Sequence, residues 1–149
     1  MGKIVVGVDV SPSSTAALAW AADYARLTGD TLVAVHAMPI PAALAPVGVL
    51  GTPAPAPVDS LDEVYRRDVE DVFSAVDPDP DWRLEFYHDD PGPAVVGAAR
   101  DAAAIVVGTH EHTGLGRLVY GSVSRYCLSH AKVPVVAVPV VATRKATTD

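Results

Sequence analysis

Short apolar runs alternate along this chain with longer segments in which apolar residues recur at helical spacing. Near-continuous aliphatic runs occupy residues 3–10 (KIVVGVDV), 31–37 (TLVAVHA), 104–108 (AIVVG) and 133–141 (VPVVAVPVV). Runs of this length without polar alternation are typical of strands buried on both faces of a parallel sheet. Residues 82–88 (WRLEFYH) alternate more, which predicts a further strand with one face more exposed.

Signals for the start and end of helices lie between these runs. Ser11 is a good N-cap, Pro12 suits the first helical position and Gly29 closes the segment, which predicts a first helix. Ser60 and Glu63 form a capping box before an amphipathic pattern that continues to about residue 76. Two shorter helices are predicted at residues 94–102 and 122–131.

The order β-α-β-α-β-α-β-α-β predicts one α/β domain over residues 1–141, an open parallel five-stranded sheet with helices on both faces, Rossmann-like in architecture. Ligands of such sheets bind beyond the carboxyl ends of the strands, where the strand order reverses. Asp9, His36 and Gly108 each stand near the end of a predicted strand, so we expect them at one edge. The proline-rich residues 38–58 predict a long, mobile surface loop, and residues 142–149 a polar tail.

Composition and charge exclude several classes of partner. The 149 residues carry a formal net charge of −7, which argues against non-specific binding to nucleic acid or to an anionic membrane. The single cysteine, Cys127, cannot form an intrachain disulfide, and its apolar neighbours predict a small buried side chain. The chain shows neither a signal-peptide pattern nor an apolar run long enough for a membrane span, so we expect a soluble cytoplasmic protein.

Residues 105–124 (IVVGTHEHTGLGRLVYGSVS) combine a buried strand, a glycine-rich loop and a helix N-terminus. In such an arrangement backbone N–H groups point into the gap, glycines permit close approach of a ligand, and the helix dipole favours negative charge. The stretch therefore predicts a cradle for the phosphates of a nucleotide.

Four segments carry a resemblance to a known family. They are IVVGVDVSPSSTAALAWAADYA, TLVAVHA, DDPGPAVVGAARDAAAIVVGT and GSVSRYCLSHAKVPVVAVP. Because several motifs occur in the family's order and spacing, the chain resembles the universal stress proteins over almost its whole length. The resemblance implies a regulatory, stress-response protein that binds ATP or another adenine nucleotide, with Mg²⁺ as an option. It also implies a homodimer formed through residues 133–141.

The ATP-binding branch of that family carries a glycine, two residues, a second glycine, nine residues and then Gly-Ser or Gly-Thr. Gly108 and the pair Gly121-Ser122 fit the outer positions, whereas the second glycine is replaced by Glu111. By resemblance, the adenine and ribose side of the site comprises Val8, Asp9, Val10 and Ala37. The phosphate side comprises Gly108, Thr109, His110, Glu111, Gly121, Ser122, Val123 and Ser124.

Glu111 is the sharpest departure from the motif. A carboxylate about 4 Å from a phosphate costs roughly 4 kcal/mol per charge pair near a protein surface. The side chain could face outward, could help hold a Mg²⁺ that bridges to the phosphates, or could close the site. We expect weakened rather than abolished binding, because Gly114 and Gly116 make the loop pliable and Arg117 offsets part of the charge.

Structural alternatives exist for the other candidates. Asp9 could cap the turn that follows it, and Ser122 could be a plain N-cap. His36 at a strand end is more typical of a satisfied structural residue, and His110 is more typical of a solvated loop histidine than of a metal ligand. The last apolar run could be an edge that pairs with a second copy or a central strand.

Two further functions compete with regulatory nucleotide binding. One is a dimeric scaffold or interaction protein of the same family whose cleft Glu111 closes. The other is slow ATP hydrolysis or phosphorylation that depends on Ser122, although no acid–base pair or Ser-His-Asp set can be argued from the spacing. We therefore assign no catalytic residue and no metal ligand.

Overall fold

The computed structural model describes residues 2–38, 58–111, 118–119 and 121–140, with the backbone alone described at 58–61, 110–111 and 118–119. Strands and helices alternate through these residues. They are β1 Lys3–Gly7, α1 Pro12–Thr28, β2 Thr31–Met38, α2 Val58–Ser74, β3 Arg83–His88, α3 Pro91–Ala98, β4 Ala104–Glu111, β5 Leu118–Val119, α4 Ser122–His130 and β6 Val135–Pro139. Most of the proline-rich segment and the whole polar tail, and with them the mobility predicted for that segment, lie outside the described residues.

Five of the strands form a parallel sheet in the order β3-β2-β1-β4-β6, which confirms the predicted fold class. β2 and β3 follow β1 on one side of it in the sheet, and β4 and β6 lie on its other side. The strand order thus reverses between β1 and β4, and a crevice opens there at the carboxyl ends. β6 pairs with β4 at the end of this order, so the alternative that placed it centrally is wrong.

Helices cover both faces of the sheet. α1 lies across β1, β4 and β6, and alanines on its inner face allow the helix to approach the strands closely. α2 joins the same core through Val69, Val72 and Phe73. α3 and α4 cover the other face, where Cys127 is fully buried as predicted. No helix in the described ranges is long and apolar enough to cross a membrane.

The end of β4 differs from the sequence-based prediction. The strand does not stop at Gly108 but continues to Glu111, and it pairs antiparallel with β5. His110 lies opposite Val119, and Glu111 lies opposite Leu118. The prediction of an open loop directly after Gly108 is therefore wrong. Residues 110–111 stay extended because their backbone groups form hydrogen bonds with β5, and the sequence pattern around Gly108 does not show that this partner strand exists.

Two helix boundaries also differ from prediction. α2 begins at Val58, so Ser60 lies inside the helix rather than at its cap, and Asp59 takes the first turn, where the dipole favours an acidic residue. α3 begins at Pro91 with Asp90 as N-cap, three residues before the predicted start. Proline suits this first helical position because the missing N–H would have no partner within the helix.

Candidate functional site

A cleft of about 220 Å³ opens at the carboxyl edge of the sheet, at the reversal in strand order. The ends of β1, β2 and β4 line it, together with the first turns of α1, α3 and α4. This is the place at which open α/β sheets bind their ligands.

Eight of the twelve predicted site residues line this cleft, two do not, and the side chains of the remaining two lie outside the described part of the chain. Those in its lining are Val8, Asp9, Ala37, Gly108, Gly121, Ser122, Val123 and Ser124. Val10 lies outside it, with half of its surface exposed, and Thr109 is fully buried with its hydroxyl directed to the Val138 carbonyl oxygen at 3.4 Å. His110 and Glu111 are placed by backbone alone, at the end of β4.

Asp9 lies just beyond β1 and takes part in the turn that leads into α1. Its Oδ1 accepts a hydrogen bond from the Ser11 N–H at 2.7 Å, and its own N–H donates to the Ser14 Oγ at 2.6 Å. The capping alternative for Asp9 is therefore correct, and the same residue also borders the cleft. A turn held at both ends keeps this exposed carboxylate in one position at the rim.

A cluster of serine hydroxyls forms the start of α1 along the cleft. Ser11 is the N-cap, as predicted, and its Oγ accepts from the Ser14 N–H at 3.3 Å. Ser13 is almost fully buried, and its Oγ lies 3.1 Å from the Oγ of Ser11. Sequence reasoning used Ser11 alone as a cap. The run SPSS after a strand was the signal that several hydroxyls gather at this helix start.

Gly108 is required by the packing of α1. A Cβ placed on Gly108 would lie 2.5 Å from the carbonyl carbon of Ser13 and closer still to its oxygen. The sequence-based expectation was that this glycine leaves space for a ligand. In the structure, the space that Gly108 leaves is filled by the first turn of α1, and the residue only borders the cleft.

The N-terminus of α4 forms the opposite wall. The N-cap is Gly121 in an extended conformation, and Ser122 is the first helical residue, so the alternative of Ser122 as N-cap is wrong. Among the described residues no side chain caps this end, and the Ser124 Oγ donates to the Gly121 carbonyl oxygen at 2.9 Å rather than accepting from the backbone. The first-turn N–H groups, which have no partners within a helix, are thus left free of side-chain caps beside the cleft.

Valine side chains and a proline complete the cleft. Val95 of α3, Val107 of β4 and Val123 of α4 line it, and Pro91 begins α3 at its rim. Sequence reasoning missed Pro91 and Val95 as cleft residues, because it placed residues 90–92 in a loop and began the helix at residue 94. The Asp-Pro-Gly sequence, with proline in the favoured first helical position, was the available signal.

His36 borders the cleft from the carboxyl end of β2 and is almost fully buried. One ring nitrogen, Nδ1, lies 2.8 Å from the Val8 carbonyl oxygen, whereas Nε2 is buried without a hydrogen-bond partner in the described part of the chain. The prediction of a satisfied structural histidine is therefore right for one nitrogen and wrong for the other.

The cleft offers different chemistry at its two ends. Backbone N–H groups at the start of α4 can hold an anion. Towards β2, the lining residues are Val35, His36 and Ala37. An amphipathic ligand with an anionic group at one end and a flat, largely apolar body at the other suits this arrangement.

Comparisons of the sequence with known proteins agree with this architecture. The family model described as "Universal stress protein family" matches residues 1–139. "Universal stress protein Rv1996" of Mycobacterium tuberculosis is 31% identical in an alignment 140 residues long that covers 89% of this chain and 42% of that protein. The chain therefore spans less than half the length of this curated relative.

Solved structures show the same fold. A universal stress protein from Archaeoglobus fulgidus superimposes with a TM-score of 0.68 at 26% identity, over 93% of this chain and 98% of that one. One from the same organism in complex with dAMP gives 0.62 at 23% identity, over 93% and 98%. A universal stress protein in complex with cAMP gives 0.59 at 24% identity, over 92% and 95%.

Proposed function

The chain belongs to the universal stress protein family, and from that membership we propose that it binds an adenine nucleotide in the cleft at the carboxyl edge of its sheet. The observation that carries the proposal is the start of α4, which no side chain of the described residues caps and where Gly121 and Ser122 border the same cleft as Asp9 and Ala37. We expect this binding to serve a regulatory, stress-linked role in the cytoplasm rather than substrate turnover.

We propose that the two ends of the nucleotide contact different parts of the cleft. The phosphate lies against the N–H groups of Ser122, Val123 and Ser124, where the helix dipole adds to hydrogen bonding. The base lies towards Ala37, and the Asp9 carboxylate accepts hydrogen bonds from the ribose hydroxyls. Proteins of this fold whose structures are described in complex with dAMP and with cAMP support an adenine nucleotide as the ligand class.

Within that class we propose ATP, with or without Mg²⁺, as one ligand, bound more weakly than AMP. A triphosphate brings more negative charge towards Glu111 and towards a chain whose net charge is −7. A carboxylate near a phosphate costs several kcal/mol at an effective dielectric constant of about 20. Mg²⁺ would offset that cost by bridging carboxylate and phosphate oxygens.

The experiment starts with native mass spectrometry of protein purified without added ligand. Calorimetric titrations with AMP, and with ATP in the presence and absence of Mg²⁺, then give the affinities. Saturable binding of at least one nucleotide supports the proposal. If none binds at millimolar concentration to folded protein, adenine-nucleotide binding is rejected. Phosphate release above a no-protein control, lost in Ser122→Ala, would add slow hydrolysis.

A nucleotide-free scaffold is the second candidate function, and two observations favour it. The cleft is smaller than the roughly 300–1,000 Å³ usual for small-molecule sites. Glu111 lies in the paired part of β4, opposite Leu118, where the backbone is less free to move than in an open loop. Glu111→Gly discriminates the two functions. A gain of ATP affinity favours the closed scaffold, and unchanged affinity favours a glutamate that faces outward.

We further propose that a second copy of the chain is the partner, joined through the apolar edge strand β6. This strand pairs with β4 on one side, and Val135 and Val136 are only half-buried within the single chain, whereas Val138 is buried. An uncovered apolar edge invites pairing with another strand, and a two-fold axis would close such an interface. Sedimentation velocity over a hundredfold range of protein concentration tests this. A species that stays monomeric throughout rejects the dimer.

A further inference from the structure

Two aromatic side chains stack on the outside of α1. The centroids of the Trp20 and Tyr24 rings lie 5.0 Å apart, the ring planes are inclined by only 11°, and the two residues are 37% and 38% exposed. Residues four apart lie on the same flank of a helix, so the two rings form one continuous surface. Exposed aromatic surface of this kind is typical of a contact with another molecule.

The contacts of α1 show which way this flank faces. Arg26 lies on the other flank of the helix, because at about 100° per residue it is turned roughly 160° from Tyr24. The Arg26 guanidinium donates to the carbonyl oxygens of Val76 and Asp77, which lie just before β3 in the chain. Since α1 lies across β1, β4 and β6, and β3 and β6 are at opposite ends of the parallel sheet, the aromatic flank faces the β6 edge.

The helix on the other face of the sheet has a similar arrangement. In α4 the Tyr126 ring faces α3, where a Cβ placed on Gly92 would lie 2.6 Å from the Tyr126 Cγ. Leu128 is turned roughly 160° from Tyr126 and is 51% exposed. Because α3 lies over β1 and β2 whereas α4 lies over β4 and β6, Leu128 is on the β6 side of its helix. Exposed apolar side chains thus border β6 on both faces of the sheet.

β6 itself lacks the charges that usually protect an edge strand. Its sequence is VVAVP, and no strand of the described ranges pairs with the edge that faces away from β4. The net charge of the chain is −7, so two copies repel each other except where their surfaces carry no charge. An uncharged surface that has only to complement itself suits a second copy of the same chain.

A two-fold axis normal to the sheet would bring the aromatic flanks of two copies together. It would pair the two β6 strands antiparallel and keep both α1 helices on one face of the joined sheet. β4 is the middle one of the three strands that α1 crosses, so at about 4.8 Å per strand the two α1 axes would lie about 14 Å apart. Helices in direct contact lie about 8–10 Å apart, so large side chains are needed to fill the gap.

We propose that Trp20, Tyr24 and Leu128 pack against the same three residues of a second copy, so that helices on both faces of the sheet complete an interface centred on β6. The inference rests on the dimer proposed above and adds the helices that take part in it. β6 has only five residues, whereas a stable interface buries about 1,200–2,000 Å² in total. Aromatic side chains that bury about 150–250 Å² each supply part of the remaining area.

Matched charge substitutions test the proposal. Tyr24→Glu and Leu128→Glu each place a carboxylate in the interface, on opposite faces of the sheet. We expect each to raise the dimer dissociation constant, measured by sedimentation velocity, by at least about tenfold, because the carboxylate would have to lose its water. Tyr65→Glu makes the same change of charge at a half-exposed tyrosine of α2, and it should change the constant by less than about threefold.

Circular dichroism verifies that each variant is folded, which the exposure of the three side chains in the single chain favours. Equal weakening by Tyr65→Glu would assign the effect to net charge and overturn the proposal. So would dissociation constants for Tyr24→Glu and Leu128→Glu that match that of the unsubstituted protein.

Acrylamide quenching of tryptophan fluorescence gives a second readout on the unsubstituted protein. Of the two tryptophans, Trp82 is buried and contributes a constant background, whereas Trp20 is accessible in the single chain. We expect quenching to decrease as the concentration rises through the dissociation constant. A dimer whose quenching does not change overturns the role of the helices while the β6 dimer stands. A chain that stays monomeric rejects the dimer itself, and with it this surface.

Discussion

Gly108 and Ser13 are in such close contact that neither the strand nor the helix could accept a side-chain atom between them. A Cβ on Gly108 would lie 2.5 Å from the Ser13 carbonyl carbon, a separation that real Cβ atoms essentially never show. The first glycine of the phosphate-cradle motif therefore allows α1 to pack against β4, whether or not a nucleotide is bound. Both residues also border the cleft, so the packing of α1 determines the shape of the site.

The first prediction follows from this contact. Gly108→Ala forces either α1 or β4 to move, and overpacking of this kind costs about 1–3 kcal/mol. We expect the free energy of unfolding, measured by urea denaturation without nucleotide, to fall by about 1–3 kcal/mol. Gly97→Ala is the matched control, because no atom beyond its chain neighbours and the local backbone of α3 lies within 4 Å of its Cβ position.

The control substitution should leave stability unchanged or raise it by up to about 1 kcal/mol, since alanine is the better helix former. If Gly108→Ala unfolds at the same urea concentration as the unsubstituted protein, the close packing against Ser13 is not a constraint. The glycine would then have to be explained by a ligand.

The second prediction concerns the donors at the start of α4. Ser122→Ala removes only the hydroxyl, whereas Ser122→Pro removes the hydroxyl and the backbone N–H. Proline is tolerated at this first helical position, and the extended conformation of Gly121 (φ −68°, ψ 172°) is the one that a residue before proline prefers. We expect the proline variant to bind AMP about tenfold more weakly than the alanine variant, because a charge-assisted backbone bond is lost.

Thermal melting of the two variants without ligand is the control for this comparison, and their midpoints should agree. Equal AMP affinities would mean that the Ser122 N–H does not contact the phosphate, and the anion site would have to be sought elsewhere in the cleft.

The third prediction concerns the turn between α2 and β3. The Arg26 Nη2 donates to the carbonyl oxygens of Val76 and Asp77 at 2.8 and 2.7 Å, and the guanidinium lies 4.7 Å from the centre of the Trp82 ring. We expect Arg26→Ala to lower the free energy of unfolding by about 1–2 kcal/mol, a value reduced by the partial exposure of the side chain. Arg26→Lys should recover less than half, since an ammonium lacks the planar fork.

Alanine at the exposed Arg100 serves as the charge-matched control, with an expected change within about 0.5 kcal/mol. Urea denaturation of all three variants measures the effect. A loss at Arg100 equal to that at Arg26 would show that net charge, and not the two carbonyl contacts, is responsible.

The fourth prediction is a pH dependence. Burial raises the pKa of the Cys127 thiol from its ordinary value of 9.0 to about 11. Because the folded state holds this proton more tightly, the stabilisation is complete below pH 9 and is lost as pH rises towards 11. We expect the free energy of unfolding to decline more steeply between pH 9 and 11 in the unsubstituted protein than in Cys127→Ala.

Thiol reactivity provides an independent measurement of the same burial. At pH 8 an aromatic disulfide reagent should modify folded protein far more slowly than protein in urea, since the thiolate is both scarce and inaccessible. Fast modification of the folded protein, or parallel pH curves for the two proteins, would contradict the buried thiol.

Local chemistry was enough to predict much of the fold. Ser11, Pro12 and Gly29 mark the ends of α1. Ser11 supplies the capping oxygen, Pro12 has a fixed φ that suits the first helical position, and Gly29 adopts the left-handed φ that ends the helix, so each acts only on the residues beside it. The aliphatic runs similarly predicted the strands of a parallel sheet, since burial on both faces requires apolar residues throughout. The position of the site at the carboxyl edge followed from strand and helix order alone.

The details of the site could not be predicted in the same way. The pairing of Glu111 with Leu118 depends on a strand that begins seven residues after the end of β4. The start of α4 at Ser122 agrees with the predicted helix of residues 122–131, and only the alternative of Ser122 as N-cap is wrong, because Gly121 takes that position although serine is in general the better N-cap. The propensity of a residue type describes an isolated turn, whereas the cap position is decided by where the chain leaves the sheet.

The sequence by itself determined the fold class, the family and the edge of the sheet where the candidate site lies, because these depend on periodicity and on motifs in order along the chain. Only the tertiary structure decided that Gly108 makes room for Ser13 and that Nε2 of His36 is buried without a hydrogen-bond partner in the described residues. Both facts concern residues far apart in the chain that folding brings into van der Waals or hydrogen-bonding range, a distance that no local pattern encodes.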